Sequence, residues 1–419
     1  DFTAQTAETE IQLCAGCHSR REPLGDSSPL PGTAYHDSYR LALLRDGLYH
    51  ADGSIDDEVY VYGSFLQSKM YEKGVRCSDC HDPHRAELRA EGNAVCVQCH
   101  APAGNPRFVS LRLADYDSPS HHFHAPGSEG AQCKSCHMIE RVYMGIDGRR
   151  DHSFRVPRPD LSEETGAPNA CTDCHSGRDA AWAAAEIARR FPDSTRRGAH
   201  FSQVFAAARE NPAEVSGSLL EIAADREQRG IVRATALDLL RPLADAAIAG
   251  RTVQLLQDTD PLVRAAATSL QAGAPPIERV QRLLPLFEDP LRTVRIAAAR
   301  AYLGAPVASL PPRIAASVDN AMQEWRASLL AKTDFPETHM SIAGSALLLR
   351  NPAAAEQAFR EAARLDPQMV DAWIMVVRLS AAQGDAAGVR STLEEALAAN
   401  PSDPALSALR AQFGAGPLR

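Results

Sequence analysis

The chain has 419 residues, more than one hydrophobic core usually spans, so two or three domains are expected. Hydrophobic residues make up 44 % and charged residues 23 %, and no run approaches the roughly 18 apolar residues of a membrane span, so no transmembrane segment is expected. The formal charge is −9, and 18 basic against 26 acidic residues place −8 of it in residues 1–178 and leave −1 for the rest; without a basic stripe to neutralise phosphates, nucleic acid is excluded as a partner. The sequence starts at Asp1 without a Met, which suggests that a leader or a longer upstream segment has been removed.

In chain order, the first elements to declare themselves are five Cys-x-x-Cys-His units, and they use all ten cysteines: Cys14-Cys17-His18, Cys77-Cys80-His81, Cys96-Cys99-His100, Cys133-Cys136-His137 and Cys171-Cys174-His175. Two thiols three residues apart can each add to one vinyl group of a single haem, and the adjacent His then supplies the proximal nitrogen to iron. Zinc sites would not demand a His after every second Cys. Structural disulfides would show varied spacings, and a thioredoxin-like pair would occur once in a βαβ unit. Five covalently attached haem c groups are therefore expected. Their attachment needs reduced thiols and dedicated machinery, which places the chain in a periplasm or at the cell exterior.

Twelve of the 14 histidines lie between His18 and His175. Five are proximal, and seven remain as distal candidates: His36, His50, His84, His121, His122, His124 and His152. Such an excess is expected if each iron takes a second imidazole. His50, His84 and His152 rank first as single sites. His84, three residues past His81, is too close in sequence to wrap round its own haem and is aimed at a neighbour. The cluster His121-His122-Phe123-His124 supplies two more ligands, but the sequence does not say which two. His36 ranks last, and for any of them the bland alternative is a surface or hydrogen-bonding His. Met70, Met138 and Met144 would raise a potential if they ligated, but seven histidines for five irons make them unnecessary.

Five haems within about 175 residues cannot each have a private pocket. The macrocycles must form much of the core and pack on one another. Cys77 and Cys96 are only 19 residues apart, whereas Cys14 and Cys77 are separated by 63; that long gap holds Tyr35, Tyr39, Tyr49, Tyr60 and Tyr62 and is expected to cover a haem face. Closely spaced, doubly ligated irons pass electrons and bind no small molecule.

After His175 the cysteines end, and Ala, Leu and Arg rise. A 31-residue period aligns Val232-Arg233-Ala234, Val263-Arg264-Ala265 and Val294-Arg295-Ile296, with Asp260-Pro261 and Asp289-Pro290 opening the second and third units; this is a HEAT-like pattern, with Pro tolerated at a helix start. A 34-residue period then aligns Asn351 with Asp385, Phe359 with Leu393, Ala362 with Ala396 and Pro367 with Pro401, the tetratricopeptide period. The expected fold is mostly α: an irregular, loop-rich pentahaem domain at 1–178, HEAT-like helical repeats at 179–335 and TPR-like repeats at 336–419, the last two forming an α-solenoid suited to docking.

Several stretches resemble the bacterial multihaem c-type cytochromes that carry tetratricopeptide repeats: Gly47-Leu48-Tyr49-His50-Ala51-Asp52-Gly53, Val59-Tyr60-Val61-Tyr62-Gly63-Ser64-Phe65, Cys77-Ser78-Asp79-Cys80-His81-Asp82-Pro83-His84, His121-His122-Phe123-His124, Arg150-Asp151-His152-Ser153-Phe154 and Pro168-Asn169-Ala170-Cys171. The resemblance is close over about 11–180 and architectural beyond. It implies functional roles for His50, His84, His152 and the His121–His124 cluster, less so for His36. It also implies further haem motifs upstream of this chain in many relatives. The expected function is electron relay through mostly bis-His haems, with redox proteins such as other cytochromes as partners. Two alternatives stay open. One is a subunit that self-assembles into an oligomer or a conducting filament, and the other is a reductase or oxidase of small nitrogen or sulfur compounds, which would need an open iron and acid–base groups beside it.

Overall fold

A computed structural model describes residues 6–25, 29–305 and 310–414, so the outermost residues of the expected first and last domains lie outside it. The chain is mostly helical, with three two-stranded sheets confined to the first 150 residues. It divides into two compact units, one holding residues 1–22 and 29–275 and the other 23–28 and 276–419.

Within the first unit, short helices carry the cysteine motifs: Ala7–Ala15, Cys77–Cys80, Ala94–Val97, Cys133–His137 and Ala170–Cys174. Helices this short are not stable alone, and polar side chains hold them. Thr6 caps the first by accepting from Thr9 N, and Asn169 caps the last by accepting from Cys171 N and Thr172 N. Two motifs run straight into hairpins. His81 and Asp82 pair with Leu88 and Glu87, and Glu140–Tyr143 pairs antiparallel with Asp147–Arg150.

The long gap between the first two motifs does not lie open to a haem face throughout. Tyr35, Tyr49 and Tyr62 are buried, and Tyr35 and Tyr62 pack edge to face at 5.0 Å. Gly63 sits against the Tyr49 hydroxyl and Ile231, leaving no room for a Cβ. These tyrosines are protein core, because the gap segment docks on helices that follow the last motif. Leu44 N donates to Thr235 Oγ1 at 3.1 Å, Arg45 pairs with Asp238 at 2.9 Å, and Arg209 donates to the Tyr49 carbonyl at 2.7 Å.

The 31-residue period falls on the helices Gly230–Leu239, Pro261–Leu270 and Arg292–Tyr302, where Val232, Val263 and Val294 are buried. Asp260 caps its helix by accepting from Leu262 N at 2.8 Å, with Pro261 as the first helical residue. Asp289-Pro290 stands two residues earlier relative to its helix, and Asp289 accepts instead from Leu291 N at 2.9 Å. The arginines are structural. Arg264 and Arg295 each donate at 2.8 Å to a carbonyl six residues back, those of Asp258 and Asp289, while Arg233 pairs with Asp258 in a buried bridge of 2.6 Å.

The second unit ends in five helices, Pro336–Leu348, Pro352–Leu365, Val370–Ala382, Ala386–Ala399 and Pro404–Gly414. The 34-residue period is exact in its caps. Asn351 accepts from Ala354 N and Asp385 from Gly388 N. Asn351 N donates to Ala346 O at 2.9 Å and Asp385 N to Ser380 O at 3.0 Å. Phe359, Ala362, Leu393 and Ala396 are buried between the helices. The residue before each cap is left-handed: Gly384 at φ 77° and Arg350 at φ 56°. A non-glycine residue in this conformation costs about 1–2 kcal/mol, and glycine's extra unfolded entropy costs about 0.5–1 kcal/mol. Since Arg350 is exposed, Arg350→Gly is expected to stabilise the C-terminal helices by about 0.5–1 kcal/mol, read as a higher urea midpoint for loss of helical circular dichroism.

Candidate functional site

Each motif is one helical turn. The backbone N–H of His18, His100 and His175 donates to the carbonyl of the first cysteine of its motif at 2.9 Å, and His81 N does the same to Cys77 O. Residues i, i+3 and i+4 share a helix face, so both thiols and the imidazole leave the backbone on one side. The spacing of the motif is thus satisfied by local structure.

The distal candidates are placed by tertiary structure. His81 faces His152 with ring centres 6.2 Å apart and planes at 25°. His137 faces His121 at 6.3 Å and 7°, and His175 faces His124 at 6.2 Å and 36°. Rings stacked face to face would be much closer. An imidazole nitrogen lies about 2.0 Å from a transition-metal ion, and about 1.15 Å from its own ring centre, so two rings on opposite sides of one metal have centres about 6.3 Å apart. All three pairs have this separation.

The hydrogen bonds of these rings suit the same chemistry. His137 Nδ1 lies 2.6 Å from the Arg155 carbonyl, His152 Nδ1 2.9 Å from the Arg150 carbonyl, and His124 Nδ1 2.5 Å from the His122 carbonyl. A carbonyl only accepts, so each Nδ1 carries the proton and each Nε2 keeps its lone pair for a metal. Burial also pushes the His152, His121 and His81 imidazoles below their usual range, with neighbouring His81 and His137 adding to the shift of the first two and His18 to that of the third, although the Arg150 carbonyl opposes it at His152. A ligating imidazole must be neutral, and these are held so. The residues present therefore fit haem held by two thioethers and two imidazoles.

His122 differs. Its Nδ1 accepts the backbone N–H of His124 at 3.2 Å, which puts its proton on Nε2. It lines a cavity of about 350 Å³ with Asn93, Asp117 and Gln132. His50 sits in a tight turn, its Nε2 3.3 Å from Asp56. His84 is exposed in the turn after the second motif, its backbone N–H donating to Asp82. His36 is buried beside Tyr35, and its Nδ1 has no hydrogen-bond partner; burial and then the Arg264 charge push its pKa down to about 4. His18 and His100 are not matched at ring-pair distance by any of these three. Of the four remaining candidates, His122 has its Nδ1 taken by a backbone N–H and His50 has its Nε2 beside the Asp56 carboxylate.

The ligand loops are braced by residues that motif reading passes over. Asp151 accepts from Ser153 N at 2.7 Å and Ile55 N at 3.2 Å, fixing the turn that presents His152. Arg155 donates to the Asp52 carbonyl and to Gln67 Oε1, while its own carbonyl orients His137. Asn93, just ahead of the third motif, accepts from Cys133 N at 2.9 Å and donates to Asp117 and the Ala131 carbonyl. Asn93 and Asn169 each stand two or three residues before a motif cysteine, the position of a helix cap, and that spacing is the signal that could have found them.

Two families match parts of the chain. Residues 69–105 match the doubled CXXCH motif, and residues 346–413 match the tetratricopeptide repeat. The first spans the motifs of Cys77 and Cys96 and indicates covalently bound c-type haem with its iron. The second covers the helices after residue 346 and indicates a protein-interaction region. A c-type cytochrome motif implies a location outside the cytoplasm, and among the described residues no helix is long and apolar enough to cross a membrane. No curated protein and no solved structure matches the chain.

Proposed function

We propose that this chain is an extracytoplasmic electron-transfer protein, periplasmic or at the cell surface, that holds five c-type haems in residues 1–178. The thioethers come from Cys14 and Cys17, Cys77 and Cys80, Cys96 and Cys99, Cys133 and Cys136, and Cys171 and Cys174, with His18, His81, His100, His137 and His175 as proximal ligands. His152 ligates opposite His81, His121 opposite His137, and His124 opposite His175. His50, His84 and His36 are the candidates for the other two irons. The helical repeats, HEAT-like over 179–335 and TPR-like over 336–419, serve docking of redox partners.

The observation that carries this reading is the set of three imidazole pairs at 6.2–6.3 Å, each with one ring, His152, His124 or His137, oriented by its Nδ1 bond to a backbone carbonyl. Bound haem supplies one-electron redox chemistry. Two imidazoles on one iron leave no position for a substrate, which favours transfer of electrons over catalysis.

The test is direct. Intact mass of the secreted, haem-loaded chain should give five haems, and the reduced protein should bind little carbon monoxide. Carbon monoxide binding at most of the haems would overturn the relay reading, and bare polypeptide or zinc would overturn the haem reading itself.

A further inference from the structure

The order of the attachment sites in space bears on how such a relay is wired. The first and second motifs meet directly: buried Glu10, four residues before Cys14, accepts from the backbone N–H of Ser78 at 3.0 Å. The second and third meet on another side. Gln98 Nε2 donates to the Asp79 carbonyl at 3.1 Å, Arg107 pairs with the Asp79 carboxylate at 2.5 Å, and Cys80 is an electrostatic neighbour of Cys99.

The third and fourth motifs repeat the first junction. Asn93, three residues before Cys96, accepts from Cys133 N at 2.9 Å, as Glu10 ahead of Cys14 accepts from Ser78 N. The fourth and fifth repeat the second kind. Arg141, just after the fourth motif, pairs with Asp173 inside the fifth at 2.9 Å. The two kinds of junction alternate. A side chain just ahead of the earlier motif accepts a backbone N–H at the start of the next in one to two and three to four, and an Arg–Asp pair joins two to three and four to five.

From these contacts we infer that the five attachment sites lie in single file in chain order, from the Cys14-Cys17-His18 site to the Cys171-Cys174-His175 site, as two alike pairs and a fifth member. The inference rests on the haem reading above and adds its wiring: one path, with two ends.

An iron-edge anomalous map of the haem-loaded full chain tests this, with each iron assigned by the cysteines bonded to its porphyrin. The four shortest iron–iron separations should join the sites of His18 and His81, His81 and His100, His100 and His137, and His137 and His175. A shorter separation between sites that are not consecutive, such as those of His18 and His137, would overturn the single file. Intact mass separates this from the parent reading: five haems in another order sink the wiring alone, whereas a chain without haem sinks both.

Discussion

His121→Ala should convert one haem of the loaded protein from low spin to high spin and open it to carbon monoxide, taking uptake from near none to about one per chain, because an iron that loses an axial imidazole keeps a free position. His122→Ala, one residue away, should leave the spin state and carbon monoxide uptake as they were. The contrast follows from hydrogen bonding. His121 faces His137 at 6.3 Å. His122 spends its Nδ1 lone pair on the backbone N–H of His124, and its proton on Nε2 excludes a metal there. His124→Ala and His152→Ala should each behave as His121→Ala does. Electron paramagnetic resonance of the ferric protein and a carbon monoxide titration of the ferrous protein read all four variants. A high-spin haem in His122→Ala with none in His121→Ala would reverse the assignment within the cluster.

The largest stability effect is expected at the Arg233–Asp258 bridge. Both side chains are nearly sealed, 6 % and 4 % exposed. Arg233 gives both terminal nitrogens to Asp258, at 3.2 and 2.6 Å, and its Nε to the Ala223 carbonyl at 2.9 Å. Asp258 also accepts from Asp260 N at 3.0 Å, which ties the bridge to the cap of the next helix. Asp258→Ala leaves a buried guanidinium without its counter-charge and is expected to cost about 3–5 kcal/mol, seen as a lower urea midpoint of the first compact unit. Replacing the pair together, as Arg233→Met with Asp258→Leu, should recover most of that, since a well-packed apolar pair is often no worse than a buried bridge. A double variant as unstable as Asp258→Ala would mean that the hydrogen bonds to Ala223 and Asp260, and not the unpaired charge, set the cost.

The same bridge has a pH signature. Burial alone would raise the Asp258 carboxyl, but the Arg233 hydrogen bonds, the Asp260 N–H and the guanidinium charge reverse this and hold it below its usual range. A carboxyl whose folded pKa is depressed contributes stability that is present above its unfolded value, about 3.9, and is lost as pH falls through the folded value. The difference in urea midpoint between the native chain and Asp258→Asn should therefore shrink as the pH is lowered below about 4. A difference that stays constant down to pH 2 would show that the charge of Asp258 adds nothing to the fold.

Much of this was legible in the sequence because it is local. A Cys-x-x-Cys-His unit needs only one helical turn to bring its three functional groups to one side, so its composition and spacing announce it without any knowledge of the rest of the chain. The same holds for the caps: Asn351 and Asp385, aligned by a 34-residue period, both cap helices through their own side chains, and Asp260 ahead of Pro261 does so too.

The partners of the proximal histidines were not legible, because nothing within a few residues of His152, His121 or His124 says what each faces. The pairs His81–His152 and His137–His121 join residues 71 and 16 apart in the chain, and the choice among His121, His122 and His124 turns on which ring nitrogen finds a carbonyl and which an N–H. The burial of Tyr35, Tyr49 and Tyr62 was not legible for a related reason: the gap segment packs on residues such as Thr235 and Asp238, some 190 residues downstream, which no local pattern reveals. Sequence alone determined where the Cys-x-x-Cys-His turns fall and which residues each turn presents. Only tertiary structure decided which imidazole meets which, since that depends on hydrogen bonds and packing between segments far apart in the chain.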